Sequence, residues 1–188
     1  MAVHVDIKVN KGDLARVERL LAAVPKEIPG VMSRSINRTL RSAKGKAAKR
    51  IAQDIKVKQK QIRRQVAISK ANHKRWQGSL TIWGRAVPLI GFGARQTKRG
   101  VSYMLAKAEG RQMIPSAFIA TMPTGHRGVF TRTTDERLPI RERFGPSVPT
   151  LVKASPRTLK DILRASQSEL HKQVRSQIDY VLKKRSGR

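Results

Sequence analysis

Arg34, Arg38 and Arg41 stand four and three residues apart in a run that reads as helix. That spacing puts them on one helix face. A row of guanidinium groups suits phosphate oxygens, which the planar fork can bind in pairs. Each such contact releases counterions and makes binding steeply salt-dependent. Lys44, Lys49 and Arg50 continue the basic side, Arg63 and Arg64 follow, and Arg95, Lys98 and Arg99 form a third group. Between Val31 and Arg75 there are fifteen basic residues and one acidic residue, Asp54. A solvated face on a generally basic chain and an acidic protein neighbour fit the same pattern, so the row alone does not choose between them.

Other chemistries find less support. His4, His73, His126 and His171 lie far apart and share no carboxylate spacing, so no metal site is expected. Asp135-Glu136 lies in a polar, turn-like stretch and reads as solvated. Gly91-Phe92-Gly93 echoes a phosphate loop, but no Lys-Ser/Thr follows, and a β-turn is the expected reading. No serine sits in a Gly-x-Ser-x-Gly elbow. No catalytic, cofactor-binding or metal-binding residue is therefore assigned, and a nuclease would lack a ligand cluster. Trp76 and Trp83 flank the basic region without forming a stacking platform; core or subunit contact is expected of them. Sequence-specific base readout is not expected.

Composition narrows the partner. Forty-one basic against twelve acidic residues leave a net charge of +29, far more than folding needs. Such a surface repels itself and calls for an anionic partner. Hydrophobic content of 39% with 4% aromatic residues makes a lean core, so neighbouring subunits are expected to supply buried surface. Absence of cysteine excludes disulfides and thiolate metal sites. No apolar run reaches the roughly 18 residues of a membrane span, and the start at Met1 shows no leader pattern. No membrane partner is expected.

The elements follow from periodicity. Val3, Val5, Ile7 and Val9 alternate as a strand, and a short helix through Leu14, Val17, Leu20 and Leu21 ends before Pro25. Ile28, Met32, Ile36, Leu40, Ala43, Ala47 and Ile51 mark one narrow apolar stripe of a long helix. A second basic helix is expected near Gln59 to Ser69, with Ile62 and Val66 on one face. Short strands are expected at Leu80–Trp83, Val87–Ile90, Val101–Leu105, Ala117–Ala120 and Val129–Thr131, with Arg95 to Gly100 as a mobile loop tip. The passage holding Pro139, Pro146 and Pro149 reads as irregular. Ser155-Pro156 then opens a long helix with a stripe of Leu159, Leu163, Leu170, Val174, Ile178 and Val181. Strands cluster instead of alternating with helices, which predicts an α+β fold: N-terminal basic amphipathic helices, a central, mainly antiparallel sheet, and a long C-terminal helix. One domain spanning 1–188 is expected, with 1–25 as a strand-helix extension and 156–185 as the C-terminal helix.

Several short motifs stand in a telling order. Ser35-Ile36-Asn37-Arg38 lies inside the first long helix, and Lys56-Val57-Lys58 leads into Ile62-Arg63-Arg64. Met113-Ile114-Pro115-Ser116-Ala117-Phe118-Ile119 follows, then Leu138-Pro139-Ile140 and Gly145-Pro146-Ser147-Val148-Pro149. In that order and spacing, residues 30 to 185 resemble the minor tail protein Z family of tailed bacteriophages and prophages. The resemblance implies a structural virion protein and not an enzyme. It implies a tail-completion role at the head-proximal neck, in a homohexameric ring around the DNA channel that helps join tail to head. Implied partners are the tail tube, a tail terminator or head-tail connector, and genomic double-stranded DNA held without regard to sequence. The implied location is the virion, after assembly in the host cytoplasm. The alternative is a free nonspecific DNA-binding protein of the nucleoid or packaging type. Residues expected to face DNA or an acidic partner are Arg34, Arg38, Arg41, Lys44, Lys49, Arg63, Arg64, Arg95, Lys98 and Arg99.

Overall fold

The computed structural model describes residues 2–186. Val3, Val5 and Ile7 bury alternate positions of strand β1 (Ala2–Lys8), as their period of two requires. Asn10 caps helix α1 (Lys11–Leu20), its side-chain oxygen accepting from the Asp13 amide at 2.6 Å. A 3-10 turn at Pro25–Glu27 leads into helix α2 (Ile28–Asp54).

Helix α2 is buried on more than the one stripe its spacing suggests. Met32, Ile36, Leu40, Ala43, Ala47 and Ile51 are buried, and so are Val31, Ser35, Thr39 and Ala48. The reason is that α2 lies between two neighbours. On one side is a sheet ordered β1–β3–β2, all antiparallel, where β2 is Val66–Ser69 and β3 is Gln77–Trp83. A side chain at Gly78 of β3 would lie 2.6 Å from Leu40 Cδ1, so helix and sheet meet at a glycine. On the other side is α5 (Pro156–Ser186), where the Ser35 hydroxyl donates to the Val31 carbonyl at 2.7 Å and the Gln173 carbonyl at 3.3 Å.

The second basic helix, α3, covers only Gln59–Arg64; the expected continuation to Ser69 is instead β2. Cross-strand pairing of Val66 with Ile82 and Ile68 with Leu80 overrides the short helical pattern. Strand β4 (Ala86–Pro88) stops early, and Leu89–Phe92 winds as a 3-10 turn ending on Gly93 at φ 63°. Thus Gly91-Phe92-Gly93 closes a 3-10 turn and not a β-turn.

The remaining strands form small antiparallel sheets. Strands β5 (Arg95–Thr97), β6 (Gly100–Tyr103) and β7 (Gln112–Pro115) make one in chain order. Strands β8 (Phe118–Thr121), β9 (Arg127–Arg132) and β10 (Ile140–Glu142) make another, ordered β10–β9–β8. Strand β11 (Phe144–Ser147) pairs with β4. The proline-rich passage is therefore ordered structure: β10, β11 and a short helix α4 (Val148–Lys153) capped by Ser147. Pro146 fits because the β11–β4 ribbon has only two strands, and one flank of β11 needs no ladder donor. Along α5, Leu170, Val174, Ile178 and Val181 are buried as their spacing predicts, but Leu163 is 37% exposed and its neighbour Ile162 takes the buried place. The seam runs Thr158, Ile162, Ser166, Leu170, Val174, Ile178 and Val181; of its polar members, Thr158 donates to Asp54 of α2 and Ser166 borders Ala43 and Ala47 of α2.

Candidate functional site

The fold divides the basic residues of α2 between two flanks. Toward α5 they are neutralised. Arg50 Nε lies 2.9 Å from Asp161 and its Nη1 lies 2.7 Å from Asp54. Thr158 donates its hydroxyl to the other Asp54 oxygen. Lys46 pairs with Glu169, which Gln173 also supports at 3.0 Å. These contacts tie α2 to α5. Arg34 at the helix start has a looser partner, Glu27, at 3.6 Å.

Burial pushes the Asp54 carboxyl up, but hydrogen bonds from Thr158 and Arg50 outweigh it and hold the group below its ordinary value. Glu169 is held low chiefly by Lys46 and then Gln173. A carboxylate with a depressed folded-state pKa adds stability above its ordinary pKa, and loses it as pH falls through the folded value. The denaturation midpoint is therefore expected to hold from neutrality down to about pH 5 and to fall below about pH 4. Asp54→Asn should lower the neutral plateau and flatten that acid limb; urea titrations across pH measure both.

Toward α3 the situation reverses. Arg41 and Lys44 of α2 face Lys60, Arg63 and Arg64 of α3 across an open cleft of about 460 Å³, with Ile68 also lining it. No carboxylate among the described residues lines this cleft. Among the described residues none of the five cations enters an ion pair. The Arg41 Nε donates to the Asn37 carbonyl at 3.4 Å. The walls are held from inside: Ile62 anchors α3 in the core, and Asn37 clamps Ala71 with two hydrogen bonds of 2.9 Å. Five like charges so close oppose folding unless an anion joins them.

The other expected residues are placed apart from this cleft. Arg38 and Lys49 are exposed on the outer ridge of α2. Arg95, Lys98 and Arg99 belong to the β5–β6 hairpin, with Lys98-Arg99 as its two-residue turn. That hairpin, expected as a loop tip, is held by Gln96, which donates to the Gly100 carbonyl at 3.1 Å and accepts from the Ile119 amide at 2.8 Å. Lys60 was missed by sequence reasoning; its position three and four residues before Arg63 and Arg64 was the available signal. Among the described residues no three His, Asp or Glu side chains gather where they could hold a metal ion.

A family model described as prophage minor tail protein Z matches residues 11–185. The chain belongs to that family. No curated protein matches it, and neither does any solved structure. As a minor tail protein Z the chain is a phage tail component of the virion. The motifs that carried the resemblance now have structural reasons. In Ser35-Ile36-Asn37-Arg38, Ser35 contacts α5, Ile36 is buried beneath the sheet, and Asn37 fixes Ala71. In Ile114-Pro115-Ser116-Ala117, Ser116 turns the chain at φ 58°, with its amide on the Arg99 carbonyl at 3.1 Å. No described helix of this minor tail protein is long and apolar enough to cross a membrane.

Proposed function

We propose that this minor tail protein completes the tail at its head-proximal end, as a ring of copies around the DNA channel. In this reading the α2–α3 cleft faces the phosphate backbone of the passing genome. The observation that supports it is the cation cluster Arg41, Lys44, Lys60, Arg63 and Arg64, without an ion pair among the described residues, set against the neutralised flank toward α5. Backbone contact carries no sequence information, which suits a genome that must slide through. The remaining outer cations, on α2 and on the β5–β6 hairpin, serve DNA or acidic tail neighbours.

Binding of the purified chain to a duplex oligonucleotide tests the assignment. Each phosphate contact contributes about 0.9 to the slope of log affinity against log salt. Replacing Arg41 and Arg63 together by glutamine should therefore lower the slope by about 2. Lys46→Gln should leave it unchanged, because Glu169 already holds that ammonium. Equal slopes for the wild type and the Arg41, Arg63 double variant would remove the cleft from the DNA path.

A further inference from the structure

A second cleft, of about 630 Å³, lies where the end of α2 and the start of α3 meet the Leu89–Phe92 turn and the start of β9. It shares no lining residue with the first. Ile55 and Ile90 give it an apolar surface, and Lys56, Lys58, Lys107 and Arg127 are its cations. Among the described residues, again, no carboxylate lines it and none of the four cations is ion-paired. An apolar surface among cations fits a segment that pairs an apolar side chain with carboxylates better than it fits a bare phosphate backbone.

The chain itself displays such a segment. The β9–β10 loop carries Asp135 and Glu136, both exposed and without an ion-pair partner among the described residues. Beside them Leu138 is 63% exposed, more than any other large hydrophobic residue described. Arg137 leaves the loop a net charge of −1. The base of the loop is fixed, since Thr133 donates to the Pro139 carbonyl through its amide at 3.2 Å and its hydroxyl at 2.8 Å. Cleft and loop stand at opposite ends of β9, with Arg127 at one and Arg132 at the other. Five residue steps of strand separate them by about 17 Å, so a subunit does not fill its own cleft.

We infer that the Asp135–Leu138 loop of one copy docks in the Lys58–Arg127 cleft of the next, head to tail. Leu138 covers the apolar surface, and the two carboxylates meet the cations. Such a heterologous contact closes into a ring when the rotation per copy fits. This inference rests on the ring reading above and supplies its interface.

The cysteine-free chain makes the test direct. Leu138→Cys and Gln61→Cys, the latter at the cleft wall, are introduced singly and together into phage particles, which are purified and mildly oxidised. The double variant is expected to lose most of its monomer band to covalent dimers and higher species, and each single variant to stay monomeric. Absence of adducts from the double variant, in particles holding several copies per tail, overturns the loop-in-cleft contact and leaves the ring reading standing. Dimers from Leu138→Cys alone overturn it too, because they mean loop meeting loop. One copy per particle, counted by quantitative mass spectrometry, overturns the ring and this interface with it.

Discussion

Gly100→Ala is expected to destabilise the protein by about 2–6 kcal/mol, a large part of the 5–15 kcal/mol typical of a whole domain. Gly100 sits at φ 150°, where a Cβ is strained whatever the space around it. Its Cβ would also lie 2.1 Å from the Ile114 carbonyl oxygen and 3.0 Å from Pro115 Cα. Both obstacles are backbone, so no side chain can swing away. Relief requires β6 and β7 to part, which breaks the Gly100–Pro115 register and the neighbouring Ser116–Arg99 hydrogen bond. Gly45→Ala is the matched control. Among the described residues nothing lies within 4 Å of its Cβ position, and it stands inside α2, so it should gain about 0.5–1 kcal/mol from helix propensity. Urea midpoints of the two variants should move in opposite directions. A Gly100→Ala midpoint equal to wild type would refute the close β6–β7 approach.

Reversing charge in the α2–α3 cleft should have the largest effect on function. At about 4 Å in water one unit-charge contact is worth about 1 kcal/mol, so inverting it shifts the balance by about 2 kcal/mol, roughly thirtyfold. Arg41→Glu with Arg63→Glu inverts two of the proposed phosphate contacts in each copy. Neither side chain is ion-paired among the described residues, so the fold loses no ion-pair support and like-charge repulsion in the cleft falls. The expected result is an unchanged or slightly raised denaturation midpoint with an infectious titre at least roughly thirtyfold lower. Normal titre from particles carrying the double variant would take DNA away from this cleft. A lowered midpoint would show that the cations support the fold in a way their geometry does not indicate. Micrographs of the particles separate two routes to low titre: unjoined heads and tails indicate failed assembly, and complete particles indicate failed passage or positioning of DNA.

Periodicity made much of the fold legible. The alternation of Val3, Val5 and Ile7 is local and predicts β1 because only one face of its sheet meets α2. The spacing from Met32 to Ile51 predicts α2 for the same kind of reason. Failures fall where local pattern and long-range pairing disagree. Val66–Ser69 follows a helix in sequence, but its carbonyls and amides find partners on β3. The proline-rich passage has no period of its own and is ordered by pairing with β9 and β4. Leu163 and Ile162 are neighbours of similar hydrophobicity, and only the face that α5 turns toward α2 decides which is buried.

The same division holds for the site. Sequence alone determined the excess of positive charge, the row of arginines on α2, and the family, since composition and motif order do not depend on how distant elements meet. Tertiary structure decided which of those charges remain free. Lys46 and Arg50 look like Arg41 and Lys44 in the sequence, yet α5 brings Glu169 and Asp161 to the first pair, and α3 brings only more cations to the second. A carboxylate more than a hundred residues away neutralises a lysine only through the fold, so its absence from a cleft is likewise a fact of three dimensions.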